Sequence, residues 1–392
     1  MAIRVARSLA EADAAAWNAL AGGGAPFLRH EFLLALEESG CATAATGWDA
    51  HHLLHHDGAG RLDGAMPLYR KSHSWGEFVF DFAWAEAHQR AGLGYYPRLV
   101  SAVPFTPASG PRLLAREDAV RRALVDAARA LRRDQRLSSL HVLLPDPADR
   151  ALLEAEGLLS RLDCQYHWRN EGYASFDDFL GTMTSEKRKK IRRERRRVRE
   201  TGIRCRTLSG GDLDERHLQA LWRLHALTFA RYGNAPYLNA EFFRRLARAM
   251  PESLVVDFAF RGGDPVACAV SLRGADALYG RYWGADGDYH SLHFELCYYR
   301  GVEYCLREGL ARFEPGTQGE HKLLRGFAPT PVWSLHEIAH PRLAAAIAAW
   351  LDRERQRQRA WLAAAARHLP FRRAVGGDTL GGDVGHHLAE DD

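Results

Sequence analysis

The sequence predicts an α/β protein, of the α+β kind, in which one module with a mixed, mostly antiparallel sheet occurs twice in tandem. Three observations carry this. At 392 residues the chain exceeds what one ordinary core holds and suits two domains. Each half reads as strand, two helices, three or more strands, helix, strand. A helix-opening segment also recurs. Pro26-Phe27-Leu28-Arg29-His30-Glu31-Phe32-Leu33-Leu34-Ala35-Leu36 and Pro236-Tyr237-Leu238-Asn239-Ala240-Glu241-Phe242-Phe243-Arg244-Arg245-Leu246 share proline, aromatic, glutamate and phenylalanine positions in one register.

The elements follow from apolar period and punctuation. In the first half, strands are expected near 3–7, 51–56, 62–70, 77–84, 96–103 and 139–144, with helices near 10–20, 30–39, 117–133 and 148–156. In the second half, strands are expected near 203–208, 253–260, 265–273, 277–284, 311–314 and 331–337, with helices near 213–231, 239–249, 290–309 and 341–367. The turn and strand at Arg61-Leu62-Asp63-Gly64-Ala65-Met66 and at Gly263-Asp264-Pro265-Val266-Ala267-Cys268 repeat as well. The halves are expected to meet near 160–175, giving domains 1–168 and 169–375. A glycine-, histidine- and acid-rich tail, 376–392, is expected to be disordered.

Composition narrows the function. A net charge of +4 is too small to announce a nucleic-acid binder, so any such case rests on where the charge lies. Cys41, Cys164, Cys205, Cys268, Cys297 and Cys305 form no C-x-x-C pair, which fits buried free thiols better than disulfides or zinc. With no signal-like N-terminus and no apolar run near the roughly 18 residues of a membrane span, a cytoplasmic protein is expected. Arginine is the habitual cation. Outside the basic run, lysine occurs only at Lys71 and Lys322, which points to sites that call for a compact, deprotonatable ammonium.

Three segments carry chemistry. The first is Lys187-Arg188-Lys189-Lys190-Ile191-Arg192-Arg193-Glu194-Arg195-Arg196-Arg197-Val198-Arg199, within a helix expected over 176–200. Leu180, Met183, Ile191 and Val198 mark a narrow apolar seam. The remaining guanidinium faces suit either a polyanion or plain solvent. Lys187, Arg188, Lys190 and Arg192 are the candidate phosphate contacts.

The second segment runs from Tyr279-Gly280-Arg281-Tyr282-Trp283-Gly284 to His293-Phe294-Glu295. On a strand, Tyr279, Arg281 and Trp283 share one face and Tyr282 takes the other. The following helix is expected to bury Leu292, Leu296, Tyr299, Leu306 and Leu310. Glu295 lies about 60° from Leu292 on the helical wheel, so it borders the apolar stripe and needs a partner, for which Arg281 is the candidate. The pair suits a structural ion bridge as well as a catalytic one.

The third segment, Glu314-Pro315-Gly316-Thr317-Gln318-Gly319-Glu320-His321-Lys322-Leu323-Leu324-Arg325-Gly326-Phe327, has neither helical nor strand period. It gathers an acid, an imidazole and two cations on a glycine-shaped loop, as reactive sites do. Gln89-Arg90-Ala91-Gly92-Leu93-Gly94 and Arg169-Asn170-Glu171-Gly172-Tyr173-Ala174 only loosely match the Q/R-x-x-G-x-G/A pattern that cradles a coenzyme A pyrophosphate. His51-His52 and His55-His56 would be split across the two faces of a strand, so no metal site is expected. Val103-Pro104-Phe105-Thr106-Pro107 is a stiff apolar loop suited to a substrate groove.

These motifs, in this order, resemble the FemAB-like family of predicted N-acyltransferases. Gly76-Glu77-Phe78-Val79-Phe80-Asp81, Tyr95-Tyr96-Pro97, Gln165-Tyr166-His167-Trp168 and Gln318-Gly319-Glu320-His321-Lys322 belong to the match, which spans nearly the whole chain. The resemblance implies tandem acetyltransferase-like (GNAT) domains, and it is similar to Fem-type enzymes that move aminoacyl groups from tRNA to cell-wall precursor amines. A lysine late in the second domain assists those enzymes, and Lys322 looks like its counterpart. The expected activity is therefore N-acyl transfer to an amine acceptor. Acyl-CoA is the favoured co-substrate, aminoacyl-tRNA the alternative, and a non-catalytic polyanion-binding protein the third reading. No tightly bound cofactor is expected. Acyl transfer to an amine needs a base, an oxyanion donor and a proton for the leaving group. Glu320 or His321 suits the base, Lys322 or Arg325 the oxyanion or leaving group, and Tyr282 the returning proton, with Glu295 a further catalytic candidate. Substrate contacts are expected from Arg281, Trp283, His293, Gln318, Arg325 and Phe105.

Overall fold

A computed structural model of the chain describes residues 2–317 and 319–372. Gln318 and the tail 376–392 therefore lie outside the described residues. In the first half, β1 (Ala2–Ala6) leads to α1 (Ala14–Ala21) and α2 (His30–Glu38), then to β2 (Trp48–Ala50), β3 (His52–His56), β4 (Leu62–Met66) and β5 (Tyr69–Lys71). Helix α3 (Phe82–Arg90), β6 (Arg98–Ser101), β7 (Leu114–Ala115), α4 (Asp118–Asp134), β8 (Ser139–Leu143), α5 (Pro147–Ala155) and β9 (Leu159–Arg169) follow. In the second half, α6 (Phe176–Gly181) and α7 (Ser185–Glu200) precede β10 (Arg204–Ser209), α8 (Glu215–Arg231) and α9 (Ala240–Ala249). Strands β11 (Leu254–Arg261), β12 (Asp264–Arg273) and β13 (Ala277–Ala285) come next. A helix follows in three parts: α10 (Leu292–Phe294), a π-helical turn (Glu295–Tyr299) and α11 (Arg300–Glu308). Strand β14 (Arg312–Glu314), a 3₁₀ turn (Glu320–Arg325), β15 (Ala328–Ile338) and α12 (Pro341–Ala366) complete the order.

The strands form a four-stranded sheet, β1-β3-β4-β7, and an eleven-stranded sheet, β10-β11-β12-β13-β14-β9-β15-β8-β6-β5-β2. Each half contributes one parallel pair, β6 with β8 and β13 with β14, among otherwise antiparallel ladders. The large sheet runs through both halves. Strand β15, from the end of the chain, sits between β8 and β9, with Ser334 opposite Leu143 on one side and Arg161 on the other.

The recurring segments meet in space. Phe32 of α2 and Phe242 of α9 hold equivalent places in the repeat, and their rings pack edge to face at 5.6 Å. Asn239 caps α9 by accepting the Phe242 amide at its Oδ1 (2.9 Å), while its Nδ2 donates to Ser39 O (2.7 Å) at the end of α2. One apolar cluster joins Leu33 and Leu36 to Phe243 and Leu246, so the two copies share a core. Contact between equivalent residues is what a doubled module related by a pseudo-two-fold axis produces.

Four expectations are corrected. Residues 77–84 are not a strand: Gly76 and Phe78 take φ of 81° and 58°, and α3 begins at Phe82. Alternation of Phe78, Phe80 and Phe82 misled because Phe80 and Phe82 are exposed and stack on each other at 6.3 Å. No strand is expected over 159–169, where the 11-residue β9 forms. The single helix over 176–200 is two helices, broken where Met183 pairs with Phe371 and the Thr184 amide donates to Pro370 O (2.8 Å). Finally, the expected stripe holds at Leu292, Leu296, Tyr299 and Leu310 but not at Leu306: the π turn adds a residue, so Tyr298, Val302 and Cys305 are buried as well and Leu306 lies only at the cluster's edge. No helix among the described residues is long and apolar enough to cross a membrane.

Candidate active site

Strands β13 and β14 pair in parallel only from Ala277–Arg312 to Tyr279–Glu314. Beyond that point β13 runs on to Ala285, while β14 ends and Pro315 turns the chain away. The strands therefore part. Past Tyr279 that side of β13 has no strand partner, and side chains of α8 reach its carbonyls instead: Thr228 Oγ1 donates to Trp283 O (2.6 Å) and Arg231 Nη2 to Ala285 O (3.1 Å). The loop from Pro315 and the 3₁₀ turn face this gap.

The loop folds through glycine. Gly316 and Gly319 take φ of 94° and 112°, which L side chains avoid. A Cβ on Gly319 would also crowd the His321 ring, with Nδ1 at 3.0 Å. The result is that Lys322 turns inward: it is 2% exposed, and its Nζ donates to Gly316 O at 2.9 Å. Burial pulls its ammonium down to about 7, opposed only weakly by the nearby Cys297 and Cys164 thiols.

Imidazoles and aromatic rings surround it. His321 Nε2 lies 2.8 Å from Tyr298 Oη, which the π turn delivers to this side. The His293 ring packs against Trp283 at 5.3 Å, Tyr298 at 5.3 Å and His321 at 6.1 Å. Burial, then the neighbouring cations, lowers both His293 and His321 to about 4, so both are neutral at pH 7. Glu320 is exposed at the start of the 3₁₀ turn.

Other candidates are engaged elsewhere. Arg325 donates from Nη2 to both oxygens of Glu194 (3.1 and 3.2 Å), from Nε to Tyr299 Oη (3.0 Å) and from Nη1 to His321 O (3.0 Å). Tyr299 Oη also donates to Glu194. This buried knot ties the Lys322 turn to α7. The expected Arg281–Glu295 pair does not form. Glu295 instead accepts from Arg195 Nε and Nη2, both at 2.9 Å, and Arg195 Nη1 reaches Glu303 at 2.6 Å.

The reason lies in a bulge. Val270 faces Tyr282 and Ser271 faces Gly280, so Arg281 is the extra residue, and the two-residue alternation breaks there. Arg281 and Tyr282 both donate to the Phe105 carbonyl, whose residue sits at φ 56°. Phe105 is buried and stacks on Tyr237 at 5.0 Å. Arg281, Tyr282 and Phe105 thus join the halves on one face of β13, while Trp283, His293, His321 and Lys322 gather on the other. Of the basic-helix candidates, Lys187 pairs with Glu186 (3.2 Å) and Arg192 with Asp177 (2.8 Å), while Arg188 and Lys190 are half-buried.

A second polar cluster lies in the first half, built on Lys71 and on Glu77, Asp81 and Tyr95 of the stretches that match the family. That lysine is fully buried, lies 3.8 Å over the Trp48 ring and is pulled down to about 7 by burial. Arg98 binds Glu77 (2.7 Å) and Asp81 (2.9 Å), and Tyr95 Oη donates to Asp81 (2.6 Å). His141 and His336 then meet through their Nδ1 atoms at 2.6 Å across β8 and β15. The stretches matching a pyrophosphate pattern do not make one. Gln89 to Gly94 lies at the C-terminal end of α3, where the helix dipole repels an anion. Asn170 spends its side-chain oxygen on the Gly172 and Tyr173 amides (3.0 and 2.8 Å). His52 and His55 pair with Glu37 and Asp63.

The C-terminal DUF2156 domain of a protein from Agrobacterium fabrum, assigned as a lysylphosphatidylglycerol synthetase, is similar at TM-score 0.52 and 11% identity, over 87% of this chain and 96% of that one. FemX is similar at TM-score 0.49 and 10% identity, over 80% of this chain and 93% of that one. A tandem GNAT protein from the clavulanic acid biosynthesis pathway is similar at TM-score 0.42 and 12% identity, over 87% and 99%. No curated protein sequence matches the chain. The chain shares the mixed α/β fold of the Agrobacterium fabrum domain. The profile of the FemAB-like family, described as peptidoglycan biosynthesis/recognition, matches residues 8–373. The chain belongs to the FemAB-like family.

Proposed function

We propose that this protein is an N-acyltransferase that moves an acyl group from an activated donor to an amine, at the gap where β13 and β14 part. One observation carries the reading: a buried lysine, Nζ 2.9 Å from Gly316 O and lowered to about 7 by burial, beside His293 and His321 on a glycine-shaped loop at a strand end.

Two roles follow from the chemistry. In its ammonium form, Lys322 stabilises the oxyanion that forms when the amine attacks, then supplies the proton for the leaving group. His321, lowered to about 4, is too weak to take a proton from a free ammonium. It accepts instead from the far more acidic nitrogen of the tetrahedral intermediate, with Tyr298 Oη steadying the ring. Trp283 and His293 form the wall against which the acyl group lies. The family's description supports a peptidoglycan precursor as the acceptor.

An acyl-CoA donor is the first reading. An aminoacyl ester carried on tRNA is the second. The test is mass spectrometry of peptidoglycan precursors incubated with the protein and either acyl-CoAs or charged tRNA. A mass increase equal to one acyl group, with one donor class only, is expected. An unmodified precursor with every donor contradicts the reading.

A further inference from the structure

Positive charge without an ion-pair partner is not confined to the basic helix. Strand β10 is an outer strand of the large sheet, and its Arg204 and Arg206 are both exposed. Two residues apart on a strand, they stand ~7 Å from each other. Helix α8 supplies Arg216 and Arg223, two turns or ~10 Å apart along the axis. With the Gly262–Gly263 turn between β11 and β12, these four arginines line a cleft of about 940 Å³. Asp214 and Asp264 are the acids in the lining. Asp214 is already occupied as the cap of α8, accepting the His217 amide at 2.9 Å. Arg223 donates to Pro265 O (2.9 Å) and lies 3.6 Å from Asp286. Among the described residues, Arg204, Arg206 and Arg216 make no ion pair.

A charged outer strand resists edge-to-edge association, which accounts for Arg204 and Arg206. It does not account for arginines of α8 converging on the same hollow. Their spread of ~7 by ~10 Å is too wide for one phosphate and suits a chain of them. A concave cleft also excludes a flat bilayer surface. His217 and Phe260 line it too, with rings 6.3 Å apart and edge-on, so a base has faces to stack on. We propose that this cleft binds a linear phosphodiester chain, that of a single-stranded nucleic acid. The proposal goes beyond acyl transfer and holds for either donor.

Fluorescence anisotropy of a labelled single-stranded RNA, titrated at several salt concentrations, tests it. In the variant Arg204→Ser/Arg206→Ser/Arg216→Ser, affinity is expected to fall by more than ~10-fold. The slope of log affinity against log salt should flatten by about 2, since each neutralised phosphate contributes roughly 0.7. Phe260→Leu is expected to weaken RNA but leave inorganic polyphosphate binding unchanged. Unchanged RNA affinity and slope in the triple variant overturns the proposal. So does equal loss of RNA and polyphosphate binding with no effect of Phe260→Leu, which assigns the cleft to bare phosphate. Loss of binding to phosphatidylglycerol vesicles alone overturns it as well. Because RNA binding is read without any transfer step, its failure is distinguishable from failure of the acyltransferase reading.

Discussion

At Lys322, burial sets the chemistry and the pH response together. In the folded protein the ammonium titrates at about 7, against an ordinary lysine value of 10.5. The cation is present below that pH and lost as pH rises through it. A transition state stabilised by the ammonium therefore predicts a turnover rate that is highest below pH 7 and falls above it. A rate that climbs through pH 7 would assign Lys322 to the base instead. Linkage has the same source. The unfolded chain binds the extra proton between about 7 and 10.5, so this residue adds stability as pH rises through that window. Below about 7, the fold carries a desolvated charge, and Lys322→Met should leave the melting temperature level or raise it. His321 and Lys322 were legible because they adjoin one another between glycines. Tyr298 was not, since a π turn brings it from another element. The Arg281–Glu295 pair was misread because a bulge, invisible to a two-residue period, turns Arg281 toward the first half.

Among the elements, α7 shows how a basic helix docks. Ile191 and Val198 are buried as its apolar seam, and Glu194 enters the same interface to meet Arg325. The seam was readable from spacing. The role of Glu194 was not, because a lone acid in a run of cations reads as charge balance. Removing one partner leaves the other buried and unpaired. Glu194→Leu should lose ~3–5 kcal/mol in urea unfolding, whereas Glu194→Leu/Arg325→Met should lose less than the single change. A double variant as unstable as the sum of its parts would show that the pair does not couple. Where α8 crosses β13, a Cβ on Gly284 would overlap the Leu224 carbonyl and approach the His225 amide at 2.8 Å. Backbone cannot rotate aside as a side chain can. Gly284→Ala should therefore cost ~2 kcal/mol or more and lower the thermal midpoint.

For the molecule as a whole, the repeat was the most legible feature, because equivalent residues at matched spacing need no tertiary knowledge. The way its copies interlock was hidden, since strand order is set by long-range pairing. With β15 held between β8 and β9, the two halves share one ladder. One calorimetric transition is expected, with van't Hoff and calorimetric enthalpies equal; two separated transitions would contradict a shared sheet. The central claim is that the gap between β13 and β14 is where the acyl group moves. Single-turnover transfer by Lys322→Met, compared with the unaltered protein at equal melting temperature, tests it most directly. The account predicts a rate at least ~100-fold lower, the scale of losing one oxyanion donor. A rate within about twofold of the unaltered protein would contradict it.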